Sequence, residues 1–388
     1  MSFIEFHLLQ NFAPSNLNRD DTNTPKSCVF GGSQRARISS QCQKYAIRKH
    51  NSFRESVIAN GGDLGIRTKK LMLTISDHLV ESGKSEEGSK RVCENLLSLA
   101  EIKLEQSKDK NQLKTKFLLY VGMNEIAGLK KIAIEHFDEL NYENKKKINK
   151  KLTKYVEEVF GVHSKSFAAD VALFGRMVAN NNNSIDLDVD AACQVAHAIS
   201  TNIVTPAMDF FTAVDDELQA GEQGSGMMGG VYFNSACYYR YAQINIDKLA
   251  ANLGHDNEQV LGAVQGFFRA LVQAVPSGKQ NSFAAQNPPS YVKVNVRKDG
   301  APWSLSNAFT QAVVIDKPDE AELEQQSAQK LEMFAKKLSS MYGESGFIFE
   351  GRSTYIDNLE EYRGKDCGTI SQLEAHMLDA LQGALECK

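Results

Sequence analysis

Strand-like and helix-like segments are mixed along this chain without a regular βαβα rhythm. That makes α+β the preferred fold class. Phe3 to Gln10 alternates, with Ile4, Phe6 and Leu8 on one side. Val231 to Ile246 alternates through four tyrosines and Phe233, and Tyr291 to Arg297 alternates again. Between the first and second of these, about Ser56 to Asn180 reads as predominantly helical, punctuated by Gly61-Gly62, Gly83 and Gly122. Asn11 to Gln34 reads as loop, broken by Pro14, Pro25 and Gly31-Gly32. Ser40 followed by Gln43 offers a capping box for a helix to about Asn60. Asn180 to Ser184 is a polar break, Ala191 to Val204 reads as a buried strand, and Pro206 to Gly230, with five glycines, as a long loop or hairpin. Glu258 to Val275 and Ala321 to Tyr342 complete the helices, the former with Val260, Val264, Phe267, Phe268 and Leu271 on one side.

A chain of 388 residues can bury a large core in two or three structural units. No apolar run approaches the roughly 18 residues of a membrane span, and Met1 to Glu5 lacks a signal-peptide pattern. The seven cysteines are odd in number, dispersed and free of any C-x-x-C pair, so the expectation is a reducing cytoplasm without zinc or disulfides. Net charge is −4, yet charge is segregated. Thr22 to Arg54 holds seven Lys or Arg residues and no acid, whereas Asp316 to Lys388 holds fifteen acids against eight basic residues. Solvating surfaces usually mix both signs, so the acid-free stretch is read as a phosphate-binding surface. The acidic end is read as solvated helix.

Catalytic patterns are sparse. No H-E-x-x-H, G-x-S-x-G or D-x-D-x-D-G occurs. Ser277-Gly278-Lys279-Gln280 resembles the end of a Walker A loop, but Gln273 stands where that loop needs Gly, and Gln280 where it needs Ser or Thr. Asp20-Asp21 beside Arg19 reads as a turn, with phosphodiester cleavage as the alternative. His197, between Val195 and Ile199, reads as a satisfied core histidine.

Binding patterns are stronger. Lys26, Arg35, Arg37, Lys44 and Arg48 fall in the acid-free stretch, around a Gly-rich loop and the Ser39-Ser40-Gln41 helix start. Lys44 and Arg48 stand at i, i+4 and are expected on one face. Lys147, Lys150, Lys151 and Lys154 lie opposite an apolar stripe of Ile148, Leu152, Tyr155 and Val159, which fits a wet helix face and a nucleic-acid contact equally. Phe210-Phe211 at the start of the Gly-rich loop either anchor the core or stack on bases, and Arg176-Met177 are similarly open.

Several segments in order resemble the CasC family, the repeated backbone subunit of the type I-E CRISPR Cascade surveillance complex. They are Ser15 to Asp21, the FGG-x-x-R-x-R-I-S-S-Q block at Phe30 to Gln41, Ala172 to Met177 and Ala196 to Thr201. Asp209 to Asp216, Tyr239 to Ala242, Val275 to Gln280 and Ala284 to Pro288 follow. The resemblance implies an RRM-like (ferredoxin-like) palm, residues 1–55, 181–204 and 231–388. It also implies an inserted helical finger domain, 56–180, and a protruding thumb hairpin or loop, 205–230. It further implies a non-catalytic cytoplasmic protein without cofactor or metal. About six copies would line one CRISPR RNA, kink it at roughly six-nucleotide intervals, and present it for pairing with target DNA in antiviral defence. Partners would be the large and small subunits, the 5′-end cap subunit and the CRISPR RNA endonuclease subunit. Arg19, Ser39, Ser40, Gln41, Lys44 and Arg48 would hold guide phosphates, with Tyr45 stacking or packing beside them. Met177 would wedge at the splayed base, Phe210 and Phe211 would stack at the thumb, Lys279 and Gln280 would line the groove, and the lysine helix would grip DNA. The alternatives are a type III-like RNA-cleaving subunit using Asp20 or Asp21, and an α+β enzyme acting on a phosphorylated small molecule.

Overall fold

A computed structural model of the chain describes residues 2–107, 113–143, 150–161, 167–178, 187–214, 225–315, 320–343, 346–357, 359 and 362–386. The protein is a mixed α+β chain that divides into two units. One comprises Met1–Phe53, Gln194–Ile244 and Phe267–Lys388, the other Arg54–Cys193 and Asn245–Gly266.

The first unit is built on a ten-stranded sheet. Its strands are β1 (Phe3–Ser15), β2 (Ser27–Phe30), β3 (Ser33–Ile38), β4 (Cys193–Val195), β5 (Ala198–Ser200), β6 (Ala207–Val214), β7 (Ser225–Asn245), β8 (Tyr291–Arg297), β9 (Phe347–Thr354) and β10 (Lys365–Asp366). The order is β10-β9-β8-β1-β7-β5-β3-β2, with β4 and β6 also paired to β7. β1 and β8 run antiparallel from Phe3↔Arg297 to Leu9↔Tyr291.

Alternation in β1 and β8 does not mark a wet face. Both faces are covered: β8 is buried along its length, and β1 from Phe3 to Leu9. On one side Phe6 meets the rings of Phe267 and Phe268 at 5.5 and 6.0 Å. On the other, Leu9 joins Tyr239, Tyr241, Leu305, Phe309 and Leu331. The polar members of the alternation are therefore neutralised inside the protein. Glu5 accepts from Arg297 at 3.0 Å, from Asn295 at 3.2 Å and from the Trp303 backbone N–H. Lys293 pairs with Glu350 at 2.9 Å and Glu332 at 3.2 Å.

Three local readings change. Gly31-Gly32 is the two-residue turn of the β2–β3 hairpin, both glycines at positive φ (60° and 76°), as a turn matching strand twist requires. A Cβ on Gly31 would lie 1.6 Å from the Thr310 carbonyl oxygen, so close approach also demands glycine there. The pair thus shapes a hairpin and is separated by β3 from the helix start. That helix, α1 (Ser40–Lys49), is capped by Ser39, whose Oγ accepts from the Cys42 N–H. Gln43 makes no capping box; it donates to the Ala196 carbonyl at 2.9 Å. The helix stops at His50, and a second begins at Asn51. Ala191 to Val204 forms two short strands, β4 and β5, rather than one. For the glycine-rich segment, read as loop or hairpin, the described residues fit the hairpin: β6 and β7 pair antiparallel from Ala207↔Phe233 to Val214↔Ser225, and 215–224 lie outside the described residues.

The second unit is mainly helical, as expected. Helices Leu71–Glu81, Glu86–Leu99, Met123–Glu135 and Lys150–Val159 close over a core that includes Ile75, Leu79, Leu96, Leu129 and Val156. Two small sheets were not legible as strands: Gly65–Thr68 with Leu119–Gly122, and Leu104–Gln106 with Leu113–Thr115.

Burial inside the first unit has a pH signature. It holds the His7 imidazole well below the usual 6.5, with the Lys293 and Arg297 charges adding to the effect. As pH falls below about 6.5 the unfolded chain takes up a proton that the folded chain refuses, so stability drops. Glu5, raised above 4.5 by burial, acts in the opposite sense. The difference between wild type and His7→Gln therefore isolates the histidine, because Gln keeps an acceptor for the Tyr239 hydroxyl, 2.9 Å from Nδ1. Urea unfolding at pH 7.5 and 5.5 should show a loss in wild type that His7→Gln reduces by up to about 1.4 kcal/mol per pH unit. Equal losses in both proteins would show that His7 is not the titrating group.

Candidate nucleic-acid interface

Three segments of the first unit meet at one groove. The loop after β1 is stitched to the start of α1: the Ser39 N–H donates to Asn18 Oδ1 at 2.8 Å, and the Lys26 N–H to the Asn18 carbonyl at 2.8 Å. The loop at Ala274–Gly278 presses on the same strand end, since a Cβ on Gly278 would lie 2.3 Å from the Leu17 carbonyl oxygen. With α1 these loops enclose about 570 Å³, lined among others by Arg19, Tyr45, Lys49 and His50. Gln41, Tyr45 and Lys49 recur at i, i+4 and are exposed, Tyr45 at 58%. An exposed ring in the same groove as Arg19 and Lys49 offers a stacking face near phosphate-binding charge. Lys279, in a left-handed conformation (φ 53°), and Gln280 follow directly on this loop. The Gln280 amide donates to the Pro276 and Ala285 carbonyls, both at 3.1 Å, and so holds the turn.

Asp20 belongs to the same loop and acts as its fold-former. Its Oδ1 accepts from the Thr22 hydroxyl at 2.8 Å and from the N–H groups of Thr22 and Thr24 at 2.9 and 3.0 Å. The Thr22 hydroxyl bond, with these backbone bonds and Lys26, holds the carboxyl below its usual range. Asp21 is exposed.

The acid-free stretch is not a uniform binding surface. Arg35, expected to hold phosphate, is fully buried; its guanidinium donates to the carbonyls of Ser200 (2.8 Å), Thr201 (3.0 Å) and Phe309 (2.9 Å). Arg48 is buried and Lys44 half-buried, so the face expected outward turns toward the protein. The outward face is that of Tyr45 and Lys49. The 41-45-49 spacing was the signal for Lys49, which the sequence reading left out of the site. Arg37 is half-buried, with Nε 3.3 Å from the Ser27 carbonyl oxygen and Nη1 3.0 Å from His197 Nδ1. His197 is exposed rather than a core residue; partial burial, then the charges of Arg37 and Lys26, push its pKa down. Lys26 and Ser40 are half-buried, and Ser39 is spent on the cap.

The β6–β7 hairpin leaves apolar side chains in water. Phe210 is 61% exposed and faces Gly230 in register, Phe211 is partly exposed opposite Gly229, and Met208, Met227 and Met228 are exposed nearby. Phe210-Phe211 are thus no core anchor.

In the second unit, Arg176 and Met177 divide two tasks. Arg176 is buried: Nη1 lies 2.8 Å from both carboxylate oxygens of Glu125, Nε donates to the Leu187 carbonyl at 2.7 Å, and the guanidinium sits 5.6 Å from the rings of Phe160 and Phe167. Gly175 at φ 79° turns the chain where a Cβ would meet the Val189 carbonyl oxygen at 2.8 Å. The next residue, Met177, is 87% exposed. Arg176 therefore fixes the loop, contrary to its expected place on RNA, and Met177 is the projecting group. Lys150, Lys151 and Lys154 are exposed on a helix that buries Leu152 and Val156; Lys147 and Ile148 lie outside the described residues.

The comparisons give this arrangement a family. A solved chain described as "CRISPR RNA-guided surveillance complex, pre-nicking" superposes with a TM-score of 0.84 at 32% identity, covering 97% of this chain and 99% of the other. A second, "CRISPR RNA-guided surveillance complex", gives 0.74 at 27% identity with the same coverage. A search of curated protein sequences finds no significant match. The fold is thus that of chains found in RNA-guided surveillance complexes. The sequence model of the CT1975-like protein family matches residues 4–376, and the chain belongs to this family, the CasC family whose motifs it carries.

The buried and exposed cations make separable predictions. Arg35→Lys should lower stability by about 2–3 kcal/mol by stranding buried carbonyls, read as a fall in thermal midpoint. Lys49→Ala should leave the midpoint unchanged and weaken binding of single-stranded RNA several-fold. The reverse pattern would contradict the assignment of each side chain.

Proposed function

We propose that this protein is a non-catalytic, sequence-independent CRISPR RNA-binding backbone subunit of a Cascade-type surveillance complex. The observation that carries the reading is the near full-length match, at 32% identity, to a chain of a CRISPR RNA-guided surveillance complex. In this reading the groove at Arg19, Tyr45 and Lys49 neutralises guide phosphates, with Lys26, Lys44, Lys279 and Gln280 around it. Contacts of this kind suit a guide of variable sequence, because base pairing carries the specificity. The two units and the hairpin would serve as palm, finger and thumb, with Phe210 and Phe211 stacking and Met177 wedging a base out of the guide. Copies of the chain, about six, would follow one another along the RNA beside the other subunits of a type I-E assembly. Asp20 favours the non-cleaving reading, since its Oδ1 is occupied by its own loop.

Arg19→Ala and Lys49→Ala should each weaken guide binding equally for unrelated spacers and lower the salt slope by roughly one ion. A spacer-dependent loss, or regular cutting of complementary RNA that Asp21→Ala abolishes, would overturn the proposal.

Lys150, Lys151 and Lys154 would grip target DNA as flexible point charges. Replacing the three by Gln should leave guide retention intact and slow DNA association at least several-fold at low salt. Unchanged association rates would remove these lysines from the DNA path.

A further inference from the structure

Beside Met177 the second unit carries a cavity of about 550 Å³ that no role above uses. This is within the span of small-ligand sites, about 300–1,000 Å³. Its walls have a specific chemistry. Arg67 and Tyr120 stand directly opposite each other in the Gly65–Thr68/Leu119–Gly122 pair, and the guanidinium lies 4.7 Å from the Tyr120 ring centroid. Arg67 is exposed and Tyr120 buried, so the ring backs the guanidinium and leaves that plane's outer surface open. Leu118, 58% exposed, adds an apolar wall, and Met177 stands at the same cavity.

Charge tells what would enter. Asp188 and Asp190 also line the cavity, Asp188 accepting from the Val178 N–H at 2.6 Å and Asp190 pairing with Lys248 at 2.9 Å. Of the two arginines in the lining, Arg176 is spent on Glu125, which leaves two carboxylates against Arg67 and a poor phosphate site. A flat, uncharged ring with exocyclic amino groups fits better: it can stack on the guanidinium plane and donate to a carboxylate.

We propose that this cavity receives an unstacked nucleobase of the guide strand, stacked on Arg67 with Tyr120 behind it. The inference rests on the wedge role given to Met177 above and adds where the displaced base goes. Met177 opens the stack, and the Arg67 platform holds the base that leaves it.

The test uses the full-length chain assembled on guides carrying 2-aminopurine at one of about six consecutive positions, at saturating protein. The splayed position is the one whose fluorescence Met177→Ala lowers. In wild type that base should be shielded from acrylamide, and Arg67→Ala should raise its quenching constant about threefold. Arg67→Lys, which keeps the charge and loses the plane, should do the same. A Met177-dependent position whose quenching neither Arg67 variant changes overturns this inference and leaves the wedge reading standing. Shielding restored by Lys overturns stacking. Absence of any Met177-dependent position overturns the wedge and the receptor together. Arg67-dependent shielding confined to a 2-aminopurine placed in the target strand overturns the guide assignment.

Discussion

Strands β1 and β8 lie side by side with both faces covered, and the first unit depends on how their polar positions are neutralised there. Glu5, Lys293, Asn295 and Arg297 are all buried. An isolated buried charge is expensive, and it persists when an opposite charge or a set of hydrogen-bond partners compensates it. Here Glu5 answers Arg297, whose guanidinium also lies 3.9 Å from the Trp303 ring centroid and 4.0 Å from that of Phe347. Lys293 answers Glu332 and Glu350. Arg352 answers Asp366, which carries the network to the short edge strand β10. Acidic side chains of the C-terminal region thus do more than solvate a helix. Glu332, Glu350 and Asp366 are the counter-charges for basic residues on the central strands.

That constraint explains which sequence signals were legible. Strand positions at Phe3 to Gln10 and Tyr291 to Arg297 followed from alternation, because alternation reports a pleat whatever covers each face. It could not report that the polar face is also inside, since Glu5 and Lys293 look the same in sequence as solvated residues. Arg35 failed for the same reason. Seven cations without an acid suggested a surface, but a guanidinium can be satisfied by carbonyls alone, and no acidic partner is needed to bury it. Gly31-Gly32 was legible as a turn element. Its apparent link to the helix start came from reading β3 as part of the same loop.

The site was legible where side chains project and illegible where they hold a loop. Met177 and Phe210-Phe211 were singled out as apolar residues of open role, and both proved exposed. Arg176 was singled out beside Met177, but its ion pair is with Glu125, a residue 51 positions away that no local pattern joins to it. The 41-45-49 face of α1 and the 44-48 face are equally regular in sequence. Only packing decides which turns outward, and Gln43, Ile47 and Arg48 on the buried side settle it.

Burial of Arg35 and Arg48 also bears on how such a chain would hold a long polyanion. Around the groove, Arg19 and Lys49 are the exposed cations, with Lys26, Lys44 and Lys279 half-buried. Each phosphate contact contributes modestly and weakens with salt, so one copy with so few would let its strand go readily. Copies side by side on one guide change the arithmetic. Once the first is bound, its neighbour's contacts become intramolecular in effect, and retention grows without any new contact within a copy. On the proposed function, a small set of charges at the groove is then what a repeated subunit needs. Each copy would then stay weak enough to settle into register, and the row as a whole would hold the guide.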